Sequence, residues 1–171
     1  FKKKGGAGVG FLMRLLLLLF AGFIVFYPIT DTDIWWHLAA GREMVAQKAF
    51  LYSDLFSFTP TLHPWVNLHW IFQLITYAVF TSSRTYGVIF LKSLVFASSV
   101  LLLFRFETGK ENRLIRFVIF ALAIYSVRYL VLERPVVFTL LFMAVFLVLF
   151  EKFIQEEHWK TLLPLIPLQI L

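Results

Sequence analysis

Asp31, Asp33 and His37 fall within "DTDIWWHLAAGREM", residues 31–44, directly after the mostly apolar run from Phe11 to Ile29. Two carboxylates and an imidazole therefore stand where a membrane helix would surface. A carboxylate there can act as an acid–base group, or orient a metal ion, for a reaction at the lipid–water boundary. Asp33 and His37 are four residues apart and share a face if the stretch is helical. Asp33 is thus the first choice for chemistry, and Asp31 is the more natural helix cap. The competing account is architectural: Asp31 caps the helix, Asp33 faces the positive end of its dipole, and Trp35 and Trp36 anchor at headgroup level. His37, His63 and His69 offer no H-x-x-x-H or H-E-x-x-H spacing. That argues against a zinc hydrolase. Oxygen ligands such as Asp31 and Asp33 suit magnesium or manganese instead.

The elements that carry these residues are legible from composition. The chain is 60% hydrophobic and only 15% charged, with 21 Phe among 171 residues. Soluble domains carry about a quarter charged residues. So much apolar surface cannot fit inside one core of this size and must face lipid. Runs such as "LLLLLFAGFIVF" and "VVFTLLFMAVFLVLF" do not alternate, which excludes a β-barrel. The expected fold is all-α: a polytopic helical membrane protein forming a single transmembrane domain over residues 1–171. With no cysteine, the chain has no disulfide and no thiol nucleophile. Its net charge of +6 comes from basic residues between the apolar runs. They read as topology signals, with no role for nucleic acid.

Lys2, Lys3, Lys4 and Arg14 place the N-terminus in the cytoplasm. "GGAGVG" follows no strand and reads as a flexible tail rather than a phosphate loop. Residues 30–67 form the expected external loop. Within it, Asp33 to Lys48 should be a helix lying in the interface. Ile34, Leu38, Gly41 and Val45 make its apolar stripe, while Trp36, Glu43 and Gln47 fall on another. "SDLFSFTPTLHP" reads as loop. The later apolar runs are 68–80, 87–104, 114–132 and 135–150, then one from Thr161. Simple alternation puts residues 105–116 outside, yet Arg105, Lys110, Arg113 and Arg116 favour the cytoplasm. A cytoplasmic loop requires residues 68–104 to cross an odd number of times, with 68–80 lying along the surface or re-entering. Arg128, Glu133 and Arg134 should face the bundle or the external interface, because an unpaired charge at mid-bilayer costs at least ~2.5 kcal/mol. Lys92 reads as snorkelling from a helix end. Residues 151–160 read as a solvated loop.

The segment "DTDIWWHLAAGREMVAQKAFLYSDLFSFTPTLHPWVNLHWIFQ" resembles the first external loop of bacterial GT-C superfamily membrane proteins. These are polyprenyl-phosphate-sugar-dependent glycosyltransferases, related to the protein mannosyltransferase and aminoarabinose transferase families. The matching features are Asp31 and Asp33 after the first helix, "HLAAGREM", "SDLFSFT", "HPWVNLHW" and the later Arg134–Pro135. The resemblance covers about residues 10–150 and implies the N-terminal part of a longer GT-C-like module in the bacterial inner membrane. It implies transfer of a sugar from a polyprenyl-linked donor to an acceptor on the external face. Asp33 or Asp31 would then be catalytic. A cation should balance the leaving phosphate, and His37, Arg42, His69 and Arg134 are the substrate-binding candidates. The implied partners are membrane lipid, the polyprenyl-linked donor and other membrane proteins. The alternative function is a non-catalytic structural or accessory subunit that keeps this scaffold inside a larger complex. A transporter component finds less support, since no repeat or broken-helix pair is seen.

Overall fold

A computed structural model describes residues 5–56, 64–105 and 112–170. Lys2 to Lys4, His63 and Lys110 lie outside the described residues. So do most of "SDLFSFTPTLHP" and the middle of the 105–116 loop. The architecture is all-α. In chain order the helices are α1 (Gly5–Ile24), α2 (Asp33–Gln47), α3 (Trp70–Phe104), α4 (Arg113–Val127), α5 (Val136–Glu156) and α6 (Leu165–Ile170). Short 3-10 turns, Arg128–Leu130 and Trp159–Leu162, follow α4 and α5. Helix α1 already begins at Gly5, so the glycine-rich stretch expected as a tail is helical from there on. The backbone of Tyr52 accepts from the N–H of Trp65 at 2.9 Å, and Ser53 bridges to Pro64. That pairing brings the two ends of the 53–64 segment together.

Helix α3 breaks at Arg84, where φ is 53° and ψ is −149°. The chain reverses there. Thr76 and Lys92, about 24 Å apart along a straight helix at 1.5 Å per residue, line one small cavity together with Phe72 and Val88. Gly87 makes the corner possible: a Cβ there would sit 2.6 Å from Ser83 Cβ and 2.9 Å from a Val79 methyl. Residues 70–83 and 85–104 are therefore two arms. Only the second runs alongside α1, in the opposite direction. Phe11 and Arg14 meet Leu101 and Arg105 at one end, and Gly22 meets Ala97 farther along. Arg105 and Arg113 thus lie at the same end of the bundle as the start of α1. Only one arm of residues 68–104 therefore runs the length of α1.

Leu17, Ala21 and Val25 of the first segment pack on Val95, Phe96, Val100 and Phe104, with Ile124, Val131 and Val137 completing this core. A second cluster joins Ile34 and Leu38 of α2 to Phe72 and Val88 of α3. The α2 helix exists where the apolar spacing places it. Its buried stripe is Ile34, His37, Leu38, Ala40, Gly41 and Met44, while Val45 stays 52% exposed. The stripe expected to face lipid is instead spent on the 70–83 arm. Gly41 sets the approach: a Cβ there would stand 2.4 Å from the Gln73 carbonyl oxygen and 2.8 Å from Tyr77 Cβ.

Among the described residues two helices, α3 and α5, are long and apolar enough to cross a membrane. The apolar stretch of α5 has mean hydropathy 2.3, yet only 11% of it is buried within the protein. Leu114, Ile115, Ile119 and Leu122 of α4 are likewise each more than half exposed. Residues 151–156, expected as loop, continue α5, and Lys152 and Glu156 pair across one turn at 3.8 Å. Apolarity fades there, but the i,i+4 spacing keeps the helix going.

Candidate functional site: two carboxylates, one guanidinium and an apolar groove

Asp31 sits in the short link between α1 and α2, one residue before the N-cap position Thr32, and caps the helix through its side chain. One carboxylate oxygen accepts from the N–H of Asp33 at 3.1 Å, opening the first turn. The same carboxylate is gripped by Arg134, through Nε to Oδ2 and through a terminal nitrogen to Oδ1 at 3.0 Å. That nitrogen also lies 2.9 Å from Asp33 Oδ2. One guanidinium thus bridges both aspartates. The Arg134 hydrogen bonds, helped by the Asp33 N–H, hold the Asp31 carboxyl below its ordinary range, and the pairing raises Arg134 in turn. Asp31 is buried, whereas the side chains of Asp33 and Arg134 are 55% and 46% exposed. The interior carboxylate is saturated and the outer one is open to an incoming molecule.

Arg134 is placed by its neighbour. Glu133 is buried and accepts from Lys92 Nζ at 2.6 Å. The Lys92 ammonium also lies 3.6 Å from the centre of the Tyr27 ring. The Tyr27 hydroxyl donates to the Val131 carbonyl at 2.7 Å. So the end of α1 and the 85–104 arm together hold the 131–134 backbone. Lys92 does not snorkel: it is 2% exposed and paired inward. Arg128 stacks over Tyr125 and Tyr129 at the same end of the bundle. All three charges of the Arg128, Glu133 and Arg134 group therefore meet partners, as the insertion cost requires.

His37 lies beneath Asp33 on the same face, as the four-residue spacing predicts, but it is buried. Its Nδ1 is 3.4 Å from Gln73 Nε2. Burial first, then the neighbouring His69, depress its pKa from 6.5 to about 4. His37 is therefore neutral at physiological pH, with Nδ1 accepting from the Gln73 amide and the proton on Nε2. Gln73 in turn exchanges two hydrogen bonds with Asn67, at 2.6 and 3.0 Å. His69 is exposed, its ring 5.9 Å from that of His37. Arg42 is exposed too, but stands nine residues beyond Asp33, about 13 Å along α2. The structure thus gathers Asp31, Asp33 and Arg134, sets His37 and His69 to one side, and leaves Arg42 apart. Gln73 and Asn67 were missed as site-supporting residues, and so was the pairing of Lys92 with Glu133. The signal was present: an uncharged Gln within "WIFQLITYAVF", and two charges of opposite sign interrupting apolar runs.

A groove of about 310 Å³ runs between the 70–83 arm and α5, lined by His69, Phe72, Ile75, Pro135, Phe138 and Phe142 among others. Pro135, the residue after Arg134, is part of its wall, while Arg134 and the two aspartates are not. A larger cavity of about 410 Å³ lies between the 85–104 arm, α4 and α5, but no titratable side chain lines it. Among the described residues no three His, Asp or Glu side chains gather as metal ligands. Asp31 and Asp33 face a guanidinium where a divalent ion would need to sit, so this donor set does not fit a resident magnesium or manganese ion. Comparison with protein families, with curated proteins and with solved structures finds no match.

Proposed function

We propose that the chain is a polytopic membrane protein with its N-terminus in the cytoplasm, and that it transfers a sugar from a polyprenyl-phosphate-linked donor at the external face. The observation that carries this reading is the junction itself. An exposed Asp33–Arg134 pair immediately precedes Pro135, which with the 70–83 arm and α5 lines an apolar groove. An isoprenoid chain fits the groove, and its phosphate meets Arg134, the bidentate recogniser that such a group calls for. Arg14, Arg105, Arg113 and Arg116 at the opposite end support the orientation, and the exposed apolar faces of α4 and α5 support the membrane setting.

In the proposed reaction the acceptor hydroxyl gives its proton to the Asp33 carboxylate as its oxygen bonds to the anomeric carbon. The bond from that carbon to the phosphate oxygen breaks, and the polyprenyl phosphate leaves with its charge held by Arg134. A phosphate that draws the shared Arg134 nitrogen outward also releases Asp33 from its ion pair. Donor binding thereby frees the base. Asp31 keeps Arg134 aimed and caps α2.

The second reading, an accessory subunit, is favoured by the saturation of Asp31, which serves cap and ion pair without any substrate. Asp33→Asn in the full-length protein separates the two. General-base loss lowers transfer from a polyprenyl-linked donor ~100- to 10,000-fold, with thermal stability little changed because Asp33 is exposed. An Asp33→Asn variant that transfers at the wild-type rate removes the catalytic reading.

A further inference from the structure

The bundle end opposite Asp31 carries a second groove. It measures about 380 Å³ and runs between α1 and the end of α3, walled by Phe11, Leu15, Leu18, Leu101 and Leu102. Its two charged lining residues are Arg14 and Arg105. Two more arginines stand close by. The Arg113 guanidinium approaches within 3.8 Å of where a Cβ on Gly10 would lie, and Arg116 stacks 4.6 Å over the Phe104 ring. The first turn of α4 contains no acidic residue, and α1 contains none at all. Glu107 and Glu111 belong to the 106–111 segment, outside the described residues.

Positive charge at one end of a bundle is enough to set topology. It does not call for a groove. Here an apolar trough is lined by two arginines contributed by different helices. That combination matches an acyl chain joined to an anionic headgroup. We propose that this groove binds an anionic phospholipid of the surrounding leaflet. Its chain lies along Leu15, Leu18, Leu101 and Leu102, and its phosphate rests between Arg14 and Arg105. The bound lipid staples α1 to the 85–104 arm. The proposal rests on the membrane-spanning reading and is independent of the transfer chemistry.

The test uses the purified full-length protein in detergent micelles, titrated with phosphatidylglycerol, phosphatidylcholine or free glycerol phosphate. Binding is read by native mass spectrometry and by the shift in Tm. Phosphatidylglycerol should bind more tightly than phosphatidylcholine, and glycerol phosphate at equal concentration should not displace it. Each basic residue at a membrane surface contributes about fivefold in affinity. Arg14→Gln with Arg105→Gln should therefore weaken phosphatidylglycerol about 25-fold and leave phosphatidylcholine unchanged. If the double variant does not fold, Arg105→Gln alone carries the test at about fivefold. Equal affinity for the two lipids, an unchanged preference in the folded variant, or displacement by glycerol phosphate each overturns the proposal. A protein that stays monodisperse without detergent overturns the membrane reading along with it. A protein that needs detergent but shows no lipid preference overturns this site alone.

Discussion

Lys92 and Glu133 form the most consequential pair in the molecule that does not touch the open site. Their charged atoms are 2.6 Å apart, and both side chains are at most 1% exposed. At an effective dielectric constant near 20 that separation is worth about 6 kcal/mol of gross attraction. Stripping both ions of water consumes most of it. One Glu133 oxygen, Oε2, also lacks a partner, which adds to the cost of burial. The pair is therefore close to neutral as a unit but costly to break. Lys92→Met leaves a buried carboxylate alone, and Glu133→Leu leaves a buried ammonium alone. Each should destabilise by about 3–5 kcal/mol. Lys92→Met with Glu133→Leu removes both charges and should recover most of that loss. The assay is reversible unfolding in mixed micelles, with all four proteins arranged as a double-mutant cycle. A double variant as unstable as the sum of the singles, or single variants within about 1 kcal/mol of wild type, refutes the reasoning. The cycle has a second readout at the site. A double variant that folds but has lost the anchor of the 131–134 segment should hold Arg134 less firmly, so donor binding weakens even where stability returns.

Two further predictions concern α2 and its partner arm. Gly41→Val places methyl groups where even a Cβ stands 2.4 Å from the Gln73 carbonyl oxygen, so α2 must lift from the 70–83 arm. Overpacking of this kind costs about 1–3 kcal/mol, and chemical unfolding in detergent would show it; an unchanged midpoint would mean that α2 is not seated on α3. His37 has its folded pKa depressed to about 4 from 6.5. Between those values the unfolded chain binds the extra proton, so His37's contribution is fully present above about pH 6.5 and is lost as pH falls toward 4. The span amounts to about 3 kcal/mol. Tm measured from pH 7.5 to 4 should fall with a component that His37→Gln removes, and a His37→Gln profile parallel to wild type would contradict burial of the neutral ring.

Much of this was legible in the sequence, for identifiable reasons. The all-α class followed from long apolar runs without alternation. The α2 helix followed from Ile34, Leu38 and Gly41 at helical spacing. Arg134 stands out because a charge beside a proline at the head of an apolar run needs a partner. The direction of the α2 stripe was not legible, since an apolar face reads the same whether it meets lipid or another helix; only the Gly41 approach to Gln73 decides it. The gap between the apolar runs 68–80 and 87–104 marks an interruption, but not the corner at Arg84. Its signal is a backbone angle at a residue type that gives no hint of reversal, and the nearby Gly87 reads equally as a small residue in a straight helix. The Lys92–Glu133 pairing joins residues 41 apart, and periodicity says nothing about contacts across such a distance.

Glu133 and Arg134 are consecutive, yet they answer to opposite surroundings. The backbone bends at both residues in the link before α5, and their side chains part. The inward one meets Lys92 in a closed, apolar layer, and the outward one meets Asp31 and Asp33 at an open edge. A helix through this stretch would have turned the two residues only about 100° apart and left one of them without its partner. Pro135 prevents that, because it disfavours helical backbone at the residue before it and starts α5 immediately after. The Arg134–Pro135 dipeptide therefore does two things in one place. It aims a guanidinium at the carboxylates, and its proline begins the wall of an apolar groove.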